Sequence, residues 1–155
     1  MGSNHTRLDC NGNSSAAWEF QDGSPFIREH RLRRIDQLLG VPLIQSKVSV
    51  VQWADWLKQY SELRAPERFS LSFDRAQMSL DAATQGLGVA LESATNAERH
   101  LAEKKLKPVF GMEAAIKVKA HFVVYPAHHA RRPPVEAFLA WIHWEASQGG
   151  PGVSR

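Results

Sequence analysis

The sequence has little of what marks membrane, secreted or disulfide-stabilised proteins. Its 155 residues include one cysteine, Cys10, which cannot form an internal disulfide and lies in a polar stretch away from any candidate base. No run approaches the ~18 uninterrupted apolar residues of a membrane span. The first thirty residues also lack the apolar core of a signal peptide. These absences predict a cytoplasmic protein with no membrane partner.

Motifs for catalysis and for metal binding are missing as well. No Ser, Cys or Lys lies in a recognisable nucleophile motif, and Gly86-Leu87-Gly88 lacks the third glycine of a phosphate loop. His121 and the pair His128-His129 come without a cysteine or a spaced carboxylate, and adjacent loop histidines are expected to point apart. We therefore predict no enzyme activity, no metal and no cofactor.

Charge argues against a nucleic-acid surface. The net charge is only +3, and the basic residues fall into short groups at residues 28–34, 104–107 and 131–132. Such groups are more typical of solvated helix faces than of a continuous basic stripe. Residues 1–23 contain no candidate recognition helix, so we do not expect this chain to bind specific DNA by itself.

The stretch at residues 74–91 carries the clearest structural pattern. Asp74 is a favoured N-cap, and Gln77 can complete a capping box with it. Apolar residues then recur at helical spacing until Gly86, where a left-handed cap is expected. Residues 87–91 run apolar without alternation, which is typical of a parallel strand buried on both faces. The prediction is a helix, a glycine turn and a central strand.

Strand and helix patterns alternate on both sides of this stretch. Residues 41–44 predict a buried strand, and Ser49 with Gln52 predicts a capping box for a helix with one apolar face. That face would consist of Val50, Trp53, Leu57 and Tyr60. Further elements are predicted as a whole or broken helix at 24–40, strands at 69–73, 107–110 and 122–125, and helices after Ser93 or Asn96 and at 133–146. The fold class is therefore α/β, with an open mixed sheet flanked by helices.

Both ends of the chain read as flexible tails, at residues 1–23 and 147–155. Trp18 and Phe20 are exceptions that could dock onto an uncovered apolar surface. Trp141 and Trp144 lie off the apolar face of the last helix; burial in the core is favoured over a partner surface.

Five blocks in a fixed order carry a family resemblance. They are VPLIQSKVSVVQWADWL from Val41, the helix with GLGVAL from Asp74, LAEKKLKPVF from Leu101, HFVVYP from His121 and PPVEAFLAWIHWEA from Pro133. Together they resemble the effector-binding domain of LysR-type transcriptional regulators, especially the glycine-cleavage-activator subgroup. The resemblance covers residues 24–146.

The resemblance implies a type 2 periplasmic-binding-protein-like effector domain. Residues 24–125 would form its second subdomain, and residues 133–146 would form the returning C-terminal helix. The family's helix-turn-helix and first effector subdomain have no counterpart here, so we expect a truncated sensor that contacts DNA only through a missing domain. The alternative is a free-standing interaction module that associates with itself or with full-length regulators.

Three places meet the requirements of a ligand site in an open α/β sheet. They are the strand ends at residues 45–49, 73–74 and 92–93, where helix N-termini offer free N–H groups to a small carboxylate-bearing ligand. Helix capping alone would also explain the serines and the aspartate there. The family resemblance favours ligand contacts at Gln45, Ser46, Phe73 and Asp74, with Trp53 as an apolar wall.

Overall fold

The computed structural model describes residues 5–9, 12–20, 32–60, 62–119 and 122–147. The strands are β1 (His5–Asp9), β2 (Gly12–Phe20), β3 (Leu43–Ser46), β4 (Leu71–Phe73), β5 (Val89–Ser93), β6 (Leu106–Pro108), β7 (Ile116–Lys119) and β8 (Phe122–Pro126). The α-helices are α1 (Trp53–Tyr60), α2 (Ala76–Thr84), α3 (Ala94–Ala102) and α4 (Pro133–Ser147). Short 3₁₀ helices occupy Ile35–Gly40, Met112–Ala114 and Ala127–His129. None of the described helices is long and apolar enough to cross a bilayer.

The chain divides into two compact units, and the larger one, Ser14–Ile116, contains most of the mixed sheet. The strand order is β4-β3-β5-β2-β6, with β7 paired to β2. β3 runs parallel to both β4 and β5, whereas β2 runs antiparallel to β5 and β6. The predicted open, mixed α/β sheet flanked by helices is confirmed.

The smaller unit comprises Met1–Asn13 and Lys117–Arg155. Within it β1 and β8 form an antiparallel pair, with register from His5↔Pro126 to Asp9↔Phe122. The strand predicted at 122–125 is confirmed. The long helix α4 belongs to the same unit.

The core of the larger unit forms around β5, whose five residues are all buried. Side chains from β2, β3, α2 and β6 pack with it, among them Trp18, Ile44, Leu80 and Leu106. α2 ends in a Schellman motif: the N–H of Leu87 bonds to Ala82 O at 3.2 Å, and that of Gly86 to Ala83 O at 2.9 Å. Gly86 has a φ of 72°, as the predicted left-handed cap requires. The helix, turn and buried strand predicted here are confirmed.

The prediction of a loose tail over residues 1–23 is wrong where the structure describes them. β2 lies inside the sheet between β5 and β6. Trp18 is fully buried, and its indole N–H donates to the carbonyl of Glu92 at 2.8 Å. The sequence contains a short signal for this strand, because Trp18 and Phe20 alternate with Glu19. The pattern is only three residues long, and the polar residues before it are typical of a tail, so the strand was not predicted.

Two predicted helix caps are also wrong. α2 begins at Ala76, and its N-cap is Arg75 without a side-chain cap bond, so Asp74 lies one residue too early. α1 begins at Trp53 instead of being capped by Ser49. At the start of α1 the backbone N–H of Gln52 donates a hydrogen bond to the carboxylate of Asp55 at 3.2 Å. Each helix therefore begins later in the chain than its predicted cap, after Arg75 in α2 and after Gln52 in α1.

The apolar faces of two helices also differ from the prediction. In α1 the buried residues are Trp53, Trp56 and Leu57, while Val50 lies before the helix and is 63% exposed. α4 has no buried residue, and Trp141 and Trp144 are 51% and 57% exposed. Placing these two tryptophans in the core was therefore wrong.

Some predictions fall outside the described residues. They concern the helix start at residues 24–25, the docking of the Phe20 side chain, His121, Cys10 and the tail beyond Ser147. For the predicted whole or broken helix at 24–40, the described part contains the 3₁₀ helix Ile35–Gly40.

Candidate functional site

The carboxyl ends of β3, β4 and β5 meet at one edge of the sheet because these strands are parallel neighbours. Ser46 pairs with Phe73, and Leu43 pairs with Val89. If the β3–β5 pairing is extended by three residues beyond Leu43 and Val89, Ser46 lies opposite Glu92. We call residues 45–46, 73–74 and 92–93 the strand-end edge. The structure therefore brings together the three places predicted from the sequence.

Ser46 lies at the end of β3 with its side chain turned away from solvent. It is 2% exposed, and its Oγ has no hydrogen-bond partner among the described residues. The amides of Gln45 and Gln52 contact each other and donate to the Ser46 carbonyl at 3.0 and 3.2 Å. The hydroxyl of Ser46 therefore does not cap a helix, whereas its carbonyl is held by two side chains.

Trp53 occupies the core next to this strand. It is 1% exposed, and its indole N–H donates to the Ile44 carbonyl at 2.9 Å. Its ring meets Trp56 edge-on, with centroids 5.9 Å apart. In this position Trp53 supports β3 from within and does not present an open wall.

Phe73 and Asp74 end β4 beside Ser46. Phe73 is partly buried against the core, and its carbonyl accepts the N–H of Lys47 at 2.8 Å, which extends the β3–β4 ladder. Asp74 is exposed. Because α2 starts without it, its carboxylate stays available at the edge.

Glu92 is the functional candidate that sequence reasoning located only as part of a strand end. It is 1% exposed, and its Oε2 accepts from the Ser93 N–H at 3.3 Å and from the Asn96 side chain at 3.2 Å. Its Oε1 has no partner among the described residues. Ser93 caps α3 as predicted, since its Oγ accepts the Asn96 N–H at 3.1 Å.

The strand-end edge thus holds two buried polar atoms that the described protein does not satisfy, Ser46 Oγ and Glu92 Oε1. A buried polar atom without a partner costs about 1–3 kcal/mol. A serine hydroxyl can donate to a carboxylate, and a carboxylate oxygen can accept from an ammonium or amide N–H. The two atoms are therefore the hydrogen-bonding complements of a carboxylate and of an ammonium group.

A buried histidine joins the two helices that flank β5. His100 is 2% exposed, and its Nε2 lies 3.0 Å from Asp81 Oδ1 and 3.2 Å from the Gln77 amide. The hydrogen bond with His100, followed by that with Gln77, lowers the pKa of Asp81, although desolvation opposes the shift. This link between α2 and α3 is structural and holds the two helices in place.

The histidine pair at the end of β8 differs from its prediction. The rings of His128 and His129 do not point apart; they meet edge to face with centroids 4.2 Å apart. Desolvation, followed by the charges of Arg132 and His128, lowers the pKa of His129. Within the described ranges no group of three or more potential metal ligands occurs.

The sequence matches one family model and resembles two transcriptional regulators. Residues 20–146 match the family model for the LysR substrate binding domain. The chain is 35% identical over 127 residues to the HTH-type transcriptional regulator PerR of Escherichia coli, covering 81% of this chain and 42% of that protein. It is 34% identical over 124 residues to the uncharacterized HTH-type transcriptional regulator y4mQ of Sinorhizobium fredii, covering 79% and 41%. The chain thus spans about two fifths of the length of these relatives.

Solved structures share the fold. The effector domain of the transcriptional regulator AmpR of Pseudomonas aeruginosa superposes with a TM-score of 0.73 at 21% identity, covering 96% of this chain and 68% of that one. The regulatory domain of CrgA, a LysR-type regulator from Neisseria meningitidis, gives 0.69 at 15% identity, covering 93% and 70%. The architecture is therefore that of an effector domain with a periplasmic-binding-protein-like fold.

Proposed function

Because the chain belongs to the LysR substrate binding domain family, we propose that it is an effector-sensing lobe that binds a small organic molecule at the strand-end edge. In this proposal residues 24–125 form the second subdomain of an effector domain, and residues 133–146 form its returning helix. DNA is contacted only through a helix-turn-helix domain outside these residues, as the names of the two curated relatives suggest. Membership of the glycine-cleavage-activator subgroup, a cytoplasmic location and the lack of enzyme activity are parts of the same proposal.

The observation that supports this function best is a pair of polar atoms at neighbouring strand ends, Ser46 Oγ and Glu92 Oε1, that no described residue satisfies. The first suits a carboxylate and the second suits an ammonium group, so an amino acid or a related zwitterion is the ligand class we propose. Both atoms are enclosed, so ligand entry requires a covering side chain to move aside. Ligand binding would therefore shift the lobe towards the conformation in which this side chain has moved.

The remaining predicted contacts have separate roles in this proposal. Gln45 fixes the Ser46 carbonyl and contacts Gln52 with its amide N–H groups, and its amide oxygen is the group it offers at the mouth of the edge. Phe73 provides an apolar surface, and the exposed Asp74 adds an acceptor for a second donor of the ligand. Trp53 acts from the core by holding β3 in register.

A thermal-shift screen against amino acids and short carboxylic acids tests the proposal. A ligand that raises the melting temperature should lose about 10- to 100-fold in affinity for Ser46→Ala, because a hydrogen bond to a charged group is worth about 1.5–3 kcal/mol. Ser79→Ala is the matched control, since Ser79 Oγ is also buried and unpartnered among the described residues but lies within α2.

Glu92→Gln tests the contribution of the ligand's ammonium group separately from that of its carboxylate. It should weaken zwitterions more than simple carboxylic acids, because the ammonium group loses its charged acceptor. Equal affinities for Ser46→Ala and Ser79→Ala across every ligand found would refute binding at this edge.

A second candidate function rests on α4. This helix has no buried residue, and Phe138, Trp141 and Trp144 are 48%, 51% and 57% exposed. Exposed aromatic groups of this size are typical of interaction surfaces. The occupant we propose is a second copy of the chain, whose identical helix can pair with it about a twofold axis, or the same surface of a full-length regulator in its place.

Light scattering distinguishes the two candidates. Self-association through α4 predicts a dimer that becomes a monomer in the double variant Trp141→Ser/Trp144→Ser. Val50→Ser, which removes an exposed apolar side chain elsewhere, should leave the dimer intact. A monomer at all protein concentrations would exclude pairing of two copies.

A further inference from the structure

The larger unit contains a cavity that is wide open to the surface and shares no residue with the strand-end edge. It has a volume of about 600 Å³ and lies among residues 32–36, Tyr60 at the end of α1 and Phe110 after β6. Small-molecule sites in proteins commonly have volumes of roughly 300–1,000 Å³. The cavity is therefore large enough for a ligand of its own.

One wall of the cavity is aromatic and well fixed. Tyr60 and Phe110 both contact Trp56, with ring centroids 5.1 and 6.1 Å away. Trp56 is fully buried, and its indole N–H donates to the Ala114 carbonyl at 2.9 Å. Because Trp56 cannot turn freely, the two partly exposed rings beside it form a preorganised apolar surface.

Among the described residues, the charges at the cavity leave the side chain of Arg33 without a partner. Arg34 and Asp36 bind each other through two contacts, of which the Nε–Oδ1 distance is 3.0 Å. This pairing neutralises both groups. Arg33 is exposed, and only its backbone N–H is bonded, to Gln37 Oε1 at 2.8 Å. Its guanidinium makes no hydrogen bond or ion pair with the described residues.

We infer that this cavity binds a small organic anion with a flat apolar body. The anionic group pairs with the guanidinium of Arg33, whose planar fork matches a carboxylate. The apolar body lies against Tyr60 and Phe110. This site is additional to the proposed effector site, because the two differ in every contact residue.

Phenylacetate and its neutral counterpart phenylacetamide are suitable probes, since they have the same shape and differ in charge. A ligand of this size should bind with a Kd on the order of 10 mM or below, from about 0.3 kcal/mol per heavy atom. Titrations followed by amide NMR shifts should move the signals of Ile35, Tyr60 and Phe110. Phenylacetamide should bind about two- to fivefold more weakly, because the charge pairing is lost.

Substitutions give the decisive comparison. Arg33→Gln should weaken phenylacetate binding by about two- to fivefold, as expected for an exposed ion pair, and leave the weaker binding of phenylacetamide unchanged. Arg68→Gln, at another exposed arginine, should have no effect, and neither should Ser46→Ala at the strand-end edge. This last variant separates failure here from failure of the proposed effector site.

Three results would overturn the inference. They are equal binding of the two probes, wild-type affinity in Arg33→Gln, and the absence of shift changes at residues 35, 60 and 110 at saturating phenylacetate.

Discussion

Replacing Gly88 by alanine tests how closely β5 approaches the chain that enters β3. A Cβ at this position would lie 2.4 Å from the carbonyl oxygen and 3.1 Å from the carbonyl carbon of Pro42. The same carbonyl accepts the N–H of Val89 at 2.9 Å. The new methyl group would therefore displace the backbone atom that begins the β3–β5 pairing.

The expected cost follows from two contributions. Overpacking against backbone costs about 1–3 kcal/mol, and weakening the Val89 hydrogen bond costs about 1 kcal/mol more. Gly88→Ala should therefore lower the free energy of unfolding by about 2–4 kcal/mol. For a domain of this size that loss lowers the melting temperature by roughly 5–15 °C.

Urea titration of three variants measures this effect against suitable controls. Gly86→Ala should cost about 1 kcal/mol, because its φ of 72° is strained for a residue with a Cβ. Gly40→Ala should change stability by less than about 0.5 kcal/mol, since a Cβ there meets nothing within 4 Å. If Gly88→Ala were as stable as Gly40→Ala, the close approach of β5 to Pro42 would be refuted.

Three further predictions concern stability. Lys104 follows Glu103, the C-cap of α3, with a φ of 54°, so Lys104→Gly should raise the free energy of unfolding in urea by about 0.5–1 kcal/mol, and no gain would contradict the left-handed cap. Trp18→Phe removes a buried hydrogen-bond donor and should cost about 1–3 kcal/mol, whereas Trp144→Phe at an exposed site should cost less than ~0.5 kcal/mol; equal costs would contradict the buried position of β2. The hydrogen bond with His100 lowers the folded pKa of Asp81, so its stabilising effect is complete above the ordinary carboxylate pKa and is lost as pH falls through the lowered value. Asp81→Asn should thus lower the melting temperature at neutral pH and match wild type at the acid end; a difference independent of pH would contradict this assignment.

The alternation from β3 to α3 could be predicted from the sequence because its signals are local. Buried strands, helical periodicity and the glycine turn at Gly86 each depend on residues within a few positions of one another. Helix starts were less predictable: Asp74 and Ser49 are good caps by type, yet Arg75 and Gln52 precede the first helical residues. Type preferences of this kind are decided by about 1 kcal/mol, which packing readily overrides.

The strand β2 could not be predicted because its partners lie far away in the chain. Trp18 bonds to the carbonyl of Glu92, which is 74 residues away. Local composition suggested only a polar tail. The exposure of Trp141 and Trp144 depends in the same way on which surface is available to cover α4.

The candidate site, too, could be predicted from the sequence only in part. Its position at three strand ends follows from general rules for parallel sheets, and in the structure those ends lie at one edge. The burial of Glu92 does not follow from the sequence, because a charged residue ordinarily indicates solvent. It depends on the N–H of Ser93 and the amide of Asn96 at the start of α3.

Amide NMR mapping of an amino-acid panel on the isotope-labelled chain tests the central claim most directly. At least one amino acid should shift the amides of residues 45–47, 73–74 and 92–93 together, and Ser46→Ala should need about 10- to 100-fold more of that amino acid for the same shifts. The claim would be contradicted if no member of the panel moved these signals, or if the largest shifts fell elsewhere in the sheet.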